Sequence, residues 1–383
     1  MKKINFLNWR LILICTCLVF SIIAVSYKVI SVQIEDSLFL KNEGKKRYIK
    51  YRTINPVRGT IYDRNNTPLA VSIINYDLYA LNGLNTDRYL KLKDAISIQD
   101  DILIDGSFSQ KTLLKKGLTL DEQKTINELH FNNIEIEIRH SRHYPLGDQI
   151  APLIGFYGKD RAQEGIEKSY DSVLSGKNGK QKYYTNAKQK IISKPIEVIK
   201  TIQGQDIQLT IDSTIQFYAY KYLVEAITNN KAKAGTVLVF DNKSGEILAI
   251  ASYPSYNPNN PKREIQKNRA LIEAYELGSV LKPIVFSKAI DKKIFSPDAH
   301  IEIPRRLELG NTIITDPKIY EKLTPKEIVA YSSQVGASKI ALKLGYEELK
   351  NNYYSFGFTK PISINFPSAA FGLMNAKETV SDR

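Results

Sequence analysis

Tyr275-Glu276-Leu277-Gly278-Ser279-Val280-Leu281-Lys282-Pro283 holds the only Ser-x-x-Lys in the sequence. Three residues apart, Ser279 and Lys282 share a face if the segment is helical. Gly278 permits a tight turn just before the helix. Ser279 then falls in the first turn, where free N–H groups and the positive end of the dipole favour a developing oxyanion. One turn on, Lys282 is placed to accept the serine proton once it is neutral, which requires burial or a neighbouring cation. The bland reading of such a tetrad is solvated helix surface, so its surroundings decide.

The chain has 383 residues, room for two or three domains, with ordinary globular shares of hydrophobic (43%) and charged (25%) residues. Net charge is +14. No basic run or nucleic-acid motif accompanies it, so no nucleic-acid partner is expected. A general bias toward Lys explains the charge, with attraction to a membrane surface or an anionic polymer as the second reading.

Residues 11–27 read LILICTCLVFSIIAVSY, and Val29 and Ile30 extend the run past Lys28. That is the length of one tilted bilayer span. Lys2, Lys3 and Arg10 precede it, which predicts a cytoplasmic amino end. The rival, a cleaved signal peptide, suits neither the length of the run nor the lack of a small-x-small site after it. Both cysteines, Cys15 and Cys17, lie inside the span, so no disulfide is expected outside it. His140-x-x-His143 has no acidic or thiol partner at a useful spacing, so these histidines read as structural or exposed; no metal and no cofactor is expected.

Val32–Lys50 reads as a helical stalk. Gly59 and Asn65-Asn66 are turn signals around a short β run, and Leu69–Leu81 alternates as a strand. Leucine spacing from Gln110 to Leu129 predicts one or two helices. Gly204–Asp212 alternates as a strand; Ser213–Ile227 follows as a helix with Asp212 or Ser213 as N-cap. Thr236–Phe240 and Glu246–Ser252 form a hairpin, then an irregular loop runs from Tyr253 to Asn259.

Several motifs occur in order after the span: Arg58-Gly59-Thr60-Ile61-Tyr62-Asp63-Arg64-Asn65, Arg142-His143-Tyr144-Pro145, and Gly165-Ile166-Glu167-Lys168-Ser169-Tyr170-Asp171 before Leu174-Ser175-Gly176. They resemble the pedestal of class B penicillin-binding proteins. Arg58, Gly59, Asp63, Arg64, Gly165 and Glu167 match its structural motif. The hairpin, the Pro254-x-Tyr256-x-Pro258-Asn259 loop, Asn268-Arg269-Ala270 and the opening stretch resemble the start of a penicillin-binding transpeptidase domain. The division-associated, FtsI-like kind is the best match, with the elongation-associated relative as nearest rival.

The resemblance implies an α+β protein: a cytoplasmic tail (1–10), a membrane-anchor helix (11–30), a stalk and α/β pedestal of the dimerisation type (31–200), and part of a serine β-lactamase-like transpeptidase domain (201–383). It implies Ser279 as nucleophile, Lys282 as base, and Ser332 of Tyr331-Ser332-Ser333-Gln334 as the residue passing a proton toward the leaving group. Gln334 stands where the family has asparagine, one methylene farther out, at the substrate amide. Two other Ser-x-Asn tripeptides, at Ser255 and Ser363, lack the context. The family's Lys-Thr-Gly motif is expected beyond Arg383; Lys243-Ser244-Gly245 is a look-alike in a hairpin turn. A chain ending at Arg383 is expected to lack an oxyanion donor and to be inactive, with an exposed sheet edge.

Implied partners are peptidoglycan stem peptides, β-lactams, the membrane through a single span, and divisome proteins including a SEDS-family glycosyltransferase. The implied location is the inner membrane, with the bulk of the chain periplasmic. Two alternatives stay open. One is a non-catalytic, membrane-anchored division scaffold, motivated by Gln334 and the missing motif. The other is a soluble carboxypeptidase or β-lactamase, which the pedestal and anchor oppose.

Overall fold

The structure, a computed structural model, describes residues 6–34, 36–98, 107–108, 110–131, 133–158, 161–186, 191–261 and 267–374. Lys2 and Lys3 lie outside them. The chain divides into two compact units, Met1–Gly59 with Ser172–Asp206, and Thr60–Asp171 with Ile207–Arg383.

The first unit begins with a helix at Phe6–Ile34, longer at both ends than the apolar run alone suggests. Its stretch Trp9–Ile34 contains an 18-residue window with a mean hydropathy of 2.2 and no buried residue, so it is long and apolar enough to cross a bilayer. The Thr16 and Ser21 hydroxyls donate to the Ile12 and Cys17 carbonyls, both at 2.8 Å. Both hydroxyls are thereby satisfied within the helix. The stalk is a separate helix, Ser37–Tyr48. The chain then turns extended: Ile49–Ile54 pairs antiparallel with Gly179–Tyr184, which pairs with Ile196–Ile199.

Arg58 and Gly59 close this unit. The Gly59 N–H donates to the Leu174 carbonyl (2.9 Å), and a Cβ on Gly59 would sit 2.0 Å from the Gln205 carbonyl oxygen. No larger residue fits there. The buried Arg58 donates to the Ser175 hydroxyl at 2.6 Å.

In the second unit the 13-residue strand Pro68–Ala80 is the spine of a five-stranded sheet. It pairs antiparallel with Ile134–His143 over ten positions, from Val71↔His143 to Ala80↔Ile134. His140 and His143 are three apart on that strand, so they point to opposite faces and share no metal. The Gln110–Leu129 region departs from its leucine spacing: Thr112–Lys115 is a strand beside Pro68–Ala80, and only Leu120–Glu128 is helical. Pairing of Thr112, Leu113 and Lys115 to the sheet overrides a helical period of only a few leucines. The helix starts at a capping box in which Thr119 and Glu122 serve each other's N–H groups. Tyr89, Leu92 and Ile96 of helix Thr86–Ile96 join Leu78, Ala80, Leu114 and Ile126 in one core.

Of the alternating stretch Gly204–Asp212, only Ile207–Gln208 is strand, parallel to Ile61–Tyr62. Asp212 caps the helix Ser213–Asn229, accepting from the Thr214 and Ile215 N–H groups at 3.0 and 3.1 Å. That helix lays Leu223 and Ile227 on Ala251 of the hairpin Gly235–Phe240/Ile247–Tyr253. A third cluster gathers Val285, Phe286 and Ala289 of helix Lys282–Asp291 against Ile328, Val335, Ile340 and Leu344. It fixes helix Lys282–Asp291 against helices Pro325–Ala330 and Gln334–Leu344, and so brings together the two ends of the candidate site.

Candidate active site

Gly278 adopts φ +57°, the left-handed turn expected of it, and opens a 3-10 turn Gly278–Leu281 that runs into helix Lys282–Asp291. Ser279 is exposed on that turn, while Lys282, at the first helical position, is buried. Lys282 Nζ donates to the Ser332 carbonyl (2.6 Å) and hydroxyl (2.9 Å), and the Ser332 hydroxyl donates to Ser279 Oγ at 2.8 Å. Among the described residues no direct hydrogen bond joins Lys282 to Ser279. The link expected between them runs through Ser332. Burial pushes the Lys282 amine below the usual lysine range, and the nearby Asp316 carboxylate pulls the other way.

Ser332 is held at φ +56°, a conformation costing a non-glycine residue about 1–3 kcal/mol. The turn is clamped from both sides. Lys282 grips its carbonyl; Asp316 grips Ser333, Gln334 and Val335. Asp316 Oδ2 accepts from the Ser333 hydroxyl at 2.5 Å. Asp316 Oδ1 accepts from the N–H groups of Gln334 (2.5 Å) and Val335 (3.2 Å). Ser333 Oγ also accepts from the Gly336 N–H (2.9 Å), so Asp316 and Ser333 together cap helix Gln334–Leu344. The sequence did not single out Asp316: it sits sixteen residues before Ser332 in a loop, and only folding carries it to the helix end. Gln334 uses its backbone on Asp316, and its side chain is exposed.

The pedestal-motif residues of the second unit lie elsewhere. Asp63 is fully buried. It accepts from the N–H groups of Asn65 and Thr67 (2.8 and 2.7 Å) and from the Ser213 N–H and hydroxyl (3.1 and 2.8 Å). Burial opposes its ionisation, yet these donors, Thr67 and Ser213 foremost, hold the carboxyl below the usual range. Asp63 thereby ties the pedestal segment to the start of helix Ser213–Asn229. Arg64 reaches Glu246 only at 3.5 Å on the surface. Glu167 accepts from Arg142 Nε at 2.7 Å, both side chains being buried, and from the Tyr144 hydroxyl at 3.3 Å. Gly165 lies so close to Gly155 that a Cβ would stand 2.6 Å from the Gly155 nitrogen. These residues build the scaffold and take no part in the Ser279 cluster.

The penicillin-binding protein dimerisation domain matches residues 53–209, and the penicillin-binding protein transpeptidase domain matches residues 235–383. The whole chain is 32% identical to the peptidoglycan D,D-transpeptidase FtsI of Buchnera aphidicola subsp. Schizaphis graminum, covering 70% of that protein. The chain belongs to the FtsI-type class B penicillin-binding proteins. FtsI of Escherichia coli K12 is 30% identical over 99% of the chain and 67% of its own length. Among solved structures, a peptidoglycan synthase complex superimposes with TM-score 0.73 at 20% identity, over 97% of this chain and 71% of that one. A penicillin-binding protein bound to MreC from Helicobacter pylori gives 0.65 at 21% identity, over 85% and 68%. As a penicillin-binding protein the chain has the mixed helix-and-sheet fold and the apolar amino-terminal helix of its class.

Proposed function

We propose that this protein is a serine peptidoglycan D,D-transpeptidase that cross-links stem peptides during septal wall synthesis. The observation that carries this is the row of amine, hydroxyl and hydroxyl formed by Lys282, Ser332 and Ser279. Neutral Lys282 takes a proton from Ser332 while Ser332 takes the Ser279 proton, and Ser279 Oγ attacks the carbonyl of the penultimate D-alanine. As the tetrahedral adduct collapses, the C–N bond breaks, and the proton passes from Lys282 through Ser332 to the departing D-alanine amine. The amine of a neighbouring stem peptide then attacks the acyl-enzyme and regenerates Ser279. A β-lactam carbonyl enters the first step in place of the peptide.

In this reading residues 31–200 raise a transpeptidase portion, 201–383, above a single inner-membrane span, with the amino end cytoplasmic and the bulk periplasmic. The partners are peptidoglycan stem peptides and division proteins, including a SEDS-family glycosyltransferase. What supports the partnership is that related folds have been solved within a peptidoglycan synthase complex and with MreC.

The test is labelling with fluorescent penicillin of a form of the protein that carries the family's Lys-Thr-Gly segment beyond residue 383. A covalent band that Ser279→Ala abolishes is expected. No band, or one equal in Ser279→Ala, refutes the reading.

A further inference from the structure

The net charge of +14 is not spread over the molecule. Residues 1–59 and 172–206 hold eighteen Lys and Arg against five Asp and Glu; the other residues hold thirty-six against thirty-five. Nearly all of the excess belongs to the unit that carries the anchor helix. From residue 35 onward that unit still has fourteen basic against five acidic residues. Such an asymmetry points to an anionic surface as partner.

Its placement identifies the surface. The anchor helix ends at Ile34 and the next helix starts at Ser37, so no more than about 10 Å of chain separates them. Helix Ser37–Tyr48 has no buried residue. Its first turn exposes Leu38, Phe39 and Leu40; its last turn exposes Lys45, Lys46 and Arg47. The adjoining strands continue the pattern. Lys180 Nζ lies 4.5 Å over the Tyr51 ring and Lys182 Nζ 5.0 Å over Tyr184, whose ring stacks on Tyr48. Apolar side chains beside the span, then cations interleaved with tyrosines, match the order of acyl boundary and phosphate layer. The basic residues after the span also outnumber Lys2, Lys3 and Arg10 before it, against the usual preference for the cytoplasmic side.

We propose that helix Ser37–Tyr48 and the strand pair Ile49–Ile54/Gly179–Tyr184 bind the anionic headgroups of the bilayer that the anchor spans. Phospholipid is the occupant because the face continues directly from the span.

The experiment reads amide hydrogen exchange of the full chain in nanodiscs of phosphatidylcholine alone or with phosphatidylglycerol. Exchange across 37–54 and 179–184 should slow several-fold in the anionic discs. The slowing should vanish in high salt, and in the triple variant Lys45→Gln, Lys46→Gln, Arg47→Gln. Equal exchange in both lipids overturns the proposal. So does protection that scales with chains per disc, which assigns the face to a second copy. So does protection that appears in neutral discs only when glycan strands are added. The salt series on the unaltered protein stands even if the variant misfolds, and neither readout depends on Ser279 or on which leaflet is faced.

Discussion

The hydroxyls of Ser279 and Ser332 lie 2.8 Å apart across 53 residues of chain, and the second is the one that Lys282 grips. The motif pair Ser-x-x-Lys is therefore completed by a residue from another element. Removing that residue should stop proton traffic without disturbing either neighbour's backbone. Ser332→Ala is expected to slow acylation by a fluorescent penicillin about 10²- to 10⁴-fold. A rate within a few-fold of the unaltered protein would show that Lys282 serves Ser279 directly.

Acylation should depend on pH through Lys282. Burial holds its amine below the usual lysine range, so the neutral, proton-accepting form grows as pH rises. The rate should climb with pH along a limb that Lys282→Gln abolishes. Asp316 opposes the shift, so Asp316→Asn should lower the lysine further and move the limb to lower pH. A limb that stays in place in Asp316→Asn would mean that the carboxylate does not act on the amine.

Asp316 also caps a helix. Asp316→Ala frees the Gln334 and Val335 N–H groups and the Ser333 hydroxyl. The loss of the cap should cost about 1 kcal/mol of stability. Loosening of the Ser332 turn should slow acylation by about 10²-fold, since small displacements of reacting groups have effects of that size. Thermal unfolding and stopped-flow acylation measure the two effects separately.

Gln334 presents an exposed amide one methylene beyond the reach of asparagine. If that amide holds the substrate, Gln334→Asn should raise acylation roughly fivefold, the worth of one ordinary hydrogen bond. An increase from no labelling to strong labelling would instead identify the natural chain as a non-catalytic scaffold.

The Arg142–Glu167 pair is buried on both sides. Glu167→Ala leaves a buried guanidinium without its carboxylate and should cost about 3–5 kcal/mol, read by chemical denaturation. Penicillin labelling per folded molecule should be unchanged, because Glu167 lies outside the Ser279 cluster.

Much of this was legible in the residues. A run of apolar side chains has one low-energy form in a bilayer, so the anchor helix could be read directly. Local chemistry likewise announced the Gly278 turn, the Asp212 cap and the hairpin after Ala234, because each is settled by groups a few residues apart. The strand at Thr112–Lys115 was not legible: its backbone hydrogen bonds go to residues more than thirty positions away, and leucine spacing carries no record of them. Asp316 was hidden for the same reason. Nothing local marks a loop aspartate as the cap of a helix that begins at Gln334. Sequence alone determined which side chains are available for chemistry, the serine, the lysine and the second serine. Tertiary packing of Val285, Phe286, Ile328 and Val335 decided that the lysine would be buried and reach the second serine. Hydrogen bonds act over about 3 Å, and only a packed core can hold distant segments to that tolerance.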